Sequence, residues 1–233
     1  MAFKTPKHIA IILDGNRRYA KRLGMQPWKG HEFGIKKLEQ LLEWCRDFGI
    51  KELTLYSFST ENFKRSRKEK DFLFNMFKKE FKSMRYRKDI FKNKVRVNVI
   101  GRIDMFPKII RKSMNDIMKK TKRHNGFIVN FAMAYGGRQE ITNAIKIIAT
   151  DLKNNRIKIK DINEKLISKN LYLKSEPELV IRPGGEVRTS NFLTWQSVYS
   201  EWIFVKKLWP EFTKRDLAKC LEDFSSRERR FGK

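Results

Sequence analysis

Cysteine is almost missing from this sequence. Cys45 and Cys220 are the only two, each inside an apolar helical pattern. That excludes a disulfide framework and a cysteine-rich metal site, and it predicts two buried thiols. Long hydrophobic runs are missing as well. No stretch approaches the roughly 20 apolar residues that a bilayer span needs, and Asp14 interrupts Ile9-Ala10-Ile11-Ile12-Leu13 short of signal-peptide length. The expectation is a soluble, cytoplasmic protein. No proline-, glycine- or serine-rich linker and no internal repeat divides the 233 residues, so one domain, 1–233, is expected. Acidic residues are few: 26 Asp and Glu stand against 53 Lys and Arg, a formal charge of +27. That balance favours polyanionic partners: nucleic acid, an anionic membrane surface touched peripherally, or phosphorylated small molecules. Runs such as Lys78-Lys79 and Lys119-Lys120 also read as ordinary solvated helix faces. Several catalytic signatures are absent, among them a Gly-x-Ser-x-Gly elbow, a Walker-type Gly-Lys-Ser/Thr loop, a His-Glu-x-x-His pair and a dinucleotide-style glycine pattern.

What is present is an alternation of short β-rich apolar runs with longer helical patterns. The runs are Ile9 to Leu13, Leu53 to Phe58, Val95 to Ile100, Phe127 to Met133, Leu179 to Ile181 and Trp202 to Val205. They predict an α/β fold with a central, mostly parallel six-stranded sheet flanked by helices. Ile35, Leu38, Leu41, Leu42, Cys45 and Phe48 repeat at helical spacing up to the stop signal Gly49. Phe72, Phe74, Met76, Phe77, Phe81 and Met84 mark a second, aromatic helix, and the polar stretch from Lys153 to Lys174 reads as a solvated helix and loop.

Ligands of open α/β sheets sit beyond the carboxyl ends of the strands. After the first run comes Asp14-Gly15-Asn16-Arg17-Arg18. There a glycine permits close backbone approach and a helix start offers free N–H groups to an anion. Asp14 fits either a helix cap or a ligand of a divalent cation that bridges phosphate oxygens. After the second run, Ser59 and Asn62 in Ser57-Phe58-Ser59-Thr60-Glu61-Asn62-Phe63-Lys64-Arg65 fit a turn and cap as well as a site. Gly136 and Gly137 beside Arg138 follow the fourth run, where packing alone also accounts for them. After the fifth, Arg182 and Arg188 bracket Gly184 and Gly185, with Ser190 just beyond. This segment favours phosphate binding, because a planar guanidinium grips phosphate oxygens at two points. Together these segments match a site for two phosphorylated substrates and one metal.

The same segments resemble a known family, the cis-prenyltransferases, or undecaprenyl diphosphate synthase-like enzymes. The likeness covers nearly the whole chain: His8 to Ala20 with its Asp14-Gly-Asn-Arg-Arg18 core, Gly30-His31, Tyr56 to Phe63, Asn130 to Arg138, and Arg182 to Glu201 with Trp195-Gln196, in the family's order and spacing. The resemblance implies Mg²⁺-dependent, sequential condensation of isopentenyl diphosphate onto an allylic diphosphate primer, farnesyl or geranylgeranyl diphosphate, with each new double bond cis. The long-chain product would be a precursor of a glycosyl carrier lipid. It further implies that Asp14 and Glu201 hold the metal, with Glu201 acting across a homodimer interface. Gly15, Asn16, Arg17 and Arg18 would hold the allylic diphosphate with His31 beside it. Ser59 and Asn62 would orient the isopentenyl group and take part in removing its proton. Phe63 stands where many bacterial members have tryptophan, and Arg65 and Glu69 match positions near a segment that closes over substrate. Arg182, Arg188 and Ser190 would bind isopentenyl diphosphate, and Arg230-Phe231-Gly232 resembles an element completing the neighbouring subunit's site. The Phe-rich helix would line a tunnel for the growing chain, its depth set by side chains such as Ser57, Phe74 and Val129; ordinary core packing also accounts for these aromatics. Two positions depart from the family's pattern. Pro27 replaces an arginine, and Pro183 replaces a hydroxyl residue. A nucleic-acid-binding protein and a catalytically silent partner subunit are the competing classes. The absence of a recognisable RNA- or DNA-binding motif speaks against the first, and intact Asp14, Asn62 and Arg188 speak against the second.

Overall fold

Strand β1, His8–Ile12, is buried at every position. Such a strand must be covered on both faces, which is the condition of a central strand in a parallel sheet. The computed structural model describes residues 4–228. In it β1 lies inside a six-stranded sheet of order β3-β4-β2-β1-β5-β6. The other strands are β2 (Glu52–Ser59), β3 (Val95–Ile100), β4 (Phe127–Tyr135), β5 (Leu179–Pro183) and β6 (Glu201–Val205). Every pairing is parallel. All six expected strands form, and the sheet is wholly rather than mostly parallel.

Among the described residues eight α-helices cover the sheet: α1 (Asn16–Arg22), α2 (Gly30–Asp47), α3 (Arg67–Met84), α4 (Lys88–Lys92), α5 (Lys108–Thr121), α6 (Gly137–Lys153), α7 (Glu164–Asn170) and α8 (Lys214–Ser226). Their ends follow local chemistry. Ser66 caps α3 by accepting from the Glu69 N–H, and α2 gives way to Gly49, whose φ of 75° suits glycine. Thr213 and Asp216 form a reciprocal capping box at the start of α8. Helix α3 buries Leu73, Phe77 and Phe81, four residues apart, against the main core. Each such side chain contributes about 1.5–3 kcal/mol on burial. Cys45 and Cys220 are both free and buried. Lys78, Lys79, Lys119 and Lys120 are solvent-exposed on their helices. Among the described residues no helix is long and apolar enough to cross a membrane.

The topology fixes the place of the site. From β1 the chain places β2 beside it, then the edge strand β3, then β4 between β3 and β2, and returns to place β5 and β6 on the other side of β1. The order reverses between β1 and β5, and a crevice opens there beyond the carboxyl ends of the strands. The pairing of β2 with β4 slips between Tyr56 and Phe58 and again between Phe58 and Ser59. Bulges of this kind turn side chains out of the regular alternation, here at the edge of the crevice.

Candidate active site

Asp14 follows β1 and Arg182 lies in β5, so the switch point brings the two together. Arg182 Nη2 donates to Asp14 Oδ2 at 2.8 Å, and Arg18, from the first turns of α1, donates to Oδ1 at 3.3 Å. Arg182 is 3 % exposed. Its Nη1 also donates to Ser190 Oγ at 2.7 Å and to the Arg188 carbonyl, while its Nε is buried without a partner. Asp14 thus does not act as a helix cap: Gly15, with φ of 107°, occupies that position and makes no side-chain cap. The Asp14 carbonyl instead accepts from the Trp209 N–H at 2.8 Å.

Glycine at 184 opens the space beside this carboxylate. A Cβ there would lie 2.8 Å from Arg18 Nη2 and 3.2 Å from the Asp14 Cβ, on a backbone with φ of +110°. The loop beyond it is unusual, with Ser190, Asn191 and Leu193 all in left-handed conformation. Non-glycine residues hold such angles only when their surroundings over-determine them. The ties are explicit. Asn191 Oδ1 accepts from the Arg138 N–H at 2.9 Å and its carbonyl from the Gly137 N–H at 2.7 Å. Tyr56 Oη donates to the Ser190 carbonyl at 3.2 Å. Burial and the nearby Glu61 carboxylate raise the Tyr56 pKa, so it remains a neutral donor.

Across the crevice, Ser59 and Asn62 form a capping box on the 3-10 turn Thr60–Lys64, with Asn62 Oδ1 accepting from the Ser59 N–H at 3.1 Å. Both also line the central cavity. The cap and the site are therefore the same residues. His31, at the start of α2, is a neutral imidazole: burial, then the charges of Arg65 and Arg17, pull its pKa down to about 3. Its Nε2 lies 3.4 Å from Arg65 Nη1, and a guanidinium can only donate there, so Nδ1 carries the proton. Arg65 in turn donates to Glu69 at 3.0 Å, and Arg17 lies 3.7 Å from the same buried carboxylate.

A cavity of about 620 Å³ runs from these groups into the protein. Its head holds Asp14, Asn62, Arg65, Arg182 and Ser190, and its walls are Leu38, Leu42, Phe77, Phe81, Met84 and Phe131. The aromatic helix thus serves both readings. Phe77 and Phe81 face the cavity, while Phe74 packs on Phe58, Phe63 and Phe106 in an aromatic cluster that reaches the cavity through Phe58. Phe63 belongs to that cluster, 5.1 Å from Phe58 between ring centroids. Ser57 lines the same cavity.

Asn16 also lines the cavity, mostly buried and donating to the Leu13 carbonyl at 3.0 Å. The remaining expected residues lie apart. Arg188 is exposed and pairs with Glu186 at 2.7 Å. Glu201 starts β6 in register with Leu179, which is itself level with Ile9, so it lies toward the opposite end of the sheet from Asp14. There it accepts from Arg227 at 2.8 Å. Within one chain the two expected metal ligands are not brought together. The segment 230–232 lies outside the described residues. The structure adds Tyr56, Glu61 and Asn191 to the cavity wall. Of these Glu61 and Asn191 carried a signal, being adjacent to Asn62 and Ser190.

Residues 12–232 match the family model described as "Putative undecaprenyl diphosphate synthase". The chain belongs to the undecaprenyl diphosphate synthase family. It is 48 % identical over 230 residues to the tritrans,polycis-undecaprenyl-diphosphate synthase (geranylgeranyl-diphosphate specific) of Pyrococcus abyssi, covering 98 % of this chain and 87 % of that protein. It is 43 % identical over 234 residues to the isoprenyl transferase of Thermus thermophilus, covering 98 % and 89 %. Among solved structures it resembles lavandulyl diphosphate synthase from Lavandula x intermedia in complex with dimethylallyl diphosphate, with a TM-score of 0.93 at 31 % identity over 98 % of this chain and 99 % of that one. A probable undecaprenyl diphosphate synthase from Campylobacter jejuni gives a TM-score of 0.81 at 33 % identity over 99 % and 100 %. As a member of the synthase family the chain is a prenyl-transferring enzyme, and both competing classes fall away as its principal role.

Proposed function

We propose that the chain condenses isopentenyl diphosphate repeatedly onto an allylic diphosphate primer, forming a cis double bond at each step and releasing a long-chain polyprenyl diphosphate. The observation that carries this reading is the cavity: one carboxylate between two guanidiniums at its head, and an apolar wall behind. The head suits a diphosphate and the wall suits hydrocarbon. Each five-carbon unit drawn along that wall gains up to about 4 kcal/mol, at roughly 0.8 kcal/mol per carbon. The names of the archaeal relatives point to geranylgeranyl diphosphate as the primer.

In the reaction the allylic C–O bond breaks and the diphosphate leaves. The allylic C1 joins C4 of the isopentenyl group, and a proton lost from C2 of that group leaves a new allylic diphosphate, one unit longer. The departing oxygens gather charge, and fixed cationic donors stabilise it best in a site that excludes water. Arg18, more exposed than Arg182, is placed to turn from Asp14 to an entering phosphate, while Arg182 is held by three acceptors and orients the loop carrying Ser190. His31, neutral and an acceptor from Arg65, positions that guanidinium rather than supplying a cationic proton donor. Ser59 and Asn62 offer polar atoms at the cavity wall where the isopentenyl group would lie.

Mg²⁺ fits this head. Among the described residues no three His, Cys, Asp or Glu side chains cluster as a ready-made metal site. Mg²⁺ is usually held by one or two carboxylates with water and substrate phosphates completing the shell. Asp14 would supply the carboxylate here, and the ion would neutralise diphosphate charge. Glu201 reaches a metal only from a second copy, and a homodimer is part of the proposal. Val187 and Val198, exposed in the segments leading to edge strand β6, are apolar surface that such a partner would cover. Peripheral contact with anionic membrane, where the product would partition, is consistent with the +27 charge.

The test is incubation of the purified chain with labelled isopentenyl diphosphate, geranylgeranyl or farnesyl diphosphate, and Mg²⁺. Solvent-extractable polyprenyl product is expected, and it should vanish with EDTA. A chain that incorporates no label with primers of any length rules the proposal out.

A further inference from the structure

The wall of the large cavity changes character at its distal end. Beside Leu42, Met84 and Phe131 the lining becomes charged, with Glu39 from α2, Glu80 from α3 and Arg87 from the turn between α3 and α4. Arg87 is pinned. Its Nε and Nη2 grip both oxygens of Asp89 at 3.1 and 2.8 Å, and its Nη1 reaches across to Glu39 Oε1 at 2.5 Å. The bridge ties α2 to the start of α4. Burial and the neighbouring Glu39 charge raise the pKa of Glu80, the third charged group on this rim.

Apolar space does not end at the rim. A second, much smaller cavity of about 30 Å³ lies next to the first and shares Glu39, Leu42, Met84, Arg87 and Phe131 with it as a common partition. Its farther wall carries hydrocarbon from Ile90, Val95, Val97, Phe127 and Val129, with Glu43, Arg46 and Asp89 on its charged side. The Arg87–Glu39 bridge thus stands between the apolar tunnel and this second compartment, with Arg87 mostly buried and the Glu39 carboxylate half-exposed. A hydrocarbon chain passing it must either separate the two ions or press against them, and both remove charge from its partner or from water without replacement.

We infer that the Arg87–Glu39 ion pair is the distal stop of the product tunnel and a determinant of product length. This rests on the elongation reading given above. The pair acts on hydrocarbon at the far end of the cavity and takes no part in breaking or making bonds at Asp14.

The experiment compares the full wild-type chain with the Glu39→Leu/Arg87→Leu double variant and with Arg87→Lys, each supplied with geranylgeranyl diphosphate, isopentenyl diphosphate and Mg²⁺. Products are dephosphorylated and their lengths read by mass spectrometry, so rate does not enter the comparison. The double variant is expected to extend its longest product by one or more isopentenyl units, and Arg87→Lys to keep the wild-type limit. Should the leucine variant fail to fold, Glu39→Gln/Arg87→Gln removes the charges at similar volume and carries the same expectation. Variants that elongate to the wild-type length and no further overturn the stop. A wild-type chain that makes no polyprenyl product overturns the elongation reading itself, a result distinct from the first.

Discussion

Arg182 and Asp14 meet at 2.8 Å across the point where the strand order reverses. The contact joins two segments 168 residues apart. It fixes the loop after β5 relative to the turn after β1, because Arg182 also holds Ser190 Oγ and the Arg188 carbonyl. The guanidinium, 3 % exposed, is thus pre-positioned rather than recruited by substrate. Pre-positioned donors need no reorganisation when charge develops, which is the source of their catalytic effect.

Asp14→Ala is therefore expected to lower kcat by about 100-fold or more, the scale seen when one electrostatic element of a preorganised site is lost. Circular dichroism should still report a folded chain. Arg182→Lys keeps the charge and loses the planar fork that spans three acceptors. A charge-assisted hydrogen bond is worth about 1.5–3 kcal/mol, so kcat/KM should fall by about tenfold or more. Steady-state kinetics with each diphosphate varied in turn measure both.

His31 gives a pH prediction with a definite sign. Its folded pKa of about 3 lies below the ordinary 6.5, through burial and the charges of Arg65 and Arg17. The folded protein therefore binds fewer protons than the unfolded chain between those values. The stability linked to His31 is fully present above pH 6.5 and is lost as pH falls toward 3. Urea midpoints of wild type should drop over that window, and His31→Gln should flatten part of the drop. The same reasoning predicts that His31 contributes no ionisation to the rate profile on the alkaline side of neutrality. An NMR titration showing the ring protonating near pH 6.5 would refute the stability statement, and one showing it protonating above pH 7 would refute both.

Much of this was legible in the sequence, for identifiable reasons. Strands such as Val95–Ile100 are continuous apolar or alternating runs, and their period survives any tertiary context. Asp14, Arg182 and Ser190 were legible because strand ends are where an α/β sheet binds ligands. Which groups touch was not. The approach of Asp14 to Arg182 depends on strand order, and nothing local to either segment encodes that β5 returns beside β1. Glu201 illustrates the same limit: its place toward the far end of the sheet follows from the register of β6, which a linear motif does not carry. Tyr56 was missed because it sits inside a strand run, where an aromatic reads as core. Glu39 and Arg87 were missed because isolated charges on a helix and in a turn read as solvated surface.

Glu140 is a further such case. It is 1 % exposed and takes hydrogen bonds from the Tyr135 hydroxyl, Gln196 Nε2 at 3.1 Å, and the N–H groups of Tyr172 and Leu173 at 2.7 and 3.1 Å. It clamps α6 to the segment before β5 and, through Gln196, to the loop that ends in Glu201. Glu140→Ala leaves these donors buried without an acceptor, at about 1–3 kcal/mol for each one that water cannot reach. A loss of about 3–5 kcal/mol in urea unfolding is expected, the scale of breaking a buried charged network. Glu140→Gln retains one acceptor oxygen and should lose less.

Gly184 separates the geometry of the head from its charge. Alanine at this position meets two obstacles: a backbone φ of +110° that L-residues rarely adopt, and a Cβ placed 2.8 Å from Arg18 Nη2 and 3.2 Å from Asp14. The first costs about 1–3 kcal/mol of stability. The second is relieved by moving Arg18, whose side chain is partly exposed and held only by bonds of 3.3 and 3.4 Å to Asp14 and Glu186, so the fold should survive. The consequence falls on substrate. A methyl group would occupy the space beside Asp14 where diphosphate and metal are proposed to meet, while every charged group remains. Gly184→Ala should therefore raise the Mg²⁺ concentration needed for half-maximal activity and the KM for the allylic primer by about tenfold, the effect of roughly 1.4 kcal/mol of lost binding. Gly185→Ala is the control. It shares the left-handed strain, with φ of +75°, but its Cβ would have no neighbour nearer than 3.7 Å. If both variants lose stability alike and only Gly184→Ala loses affinity for Mg²⁺ and primer, steric closure of the head is the cause. Equal loss of affinity in the two would assign the effect to backbone strain and remove Gly184 from the binding site.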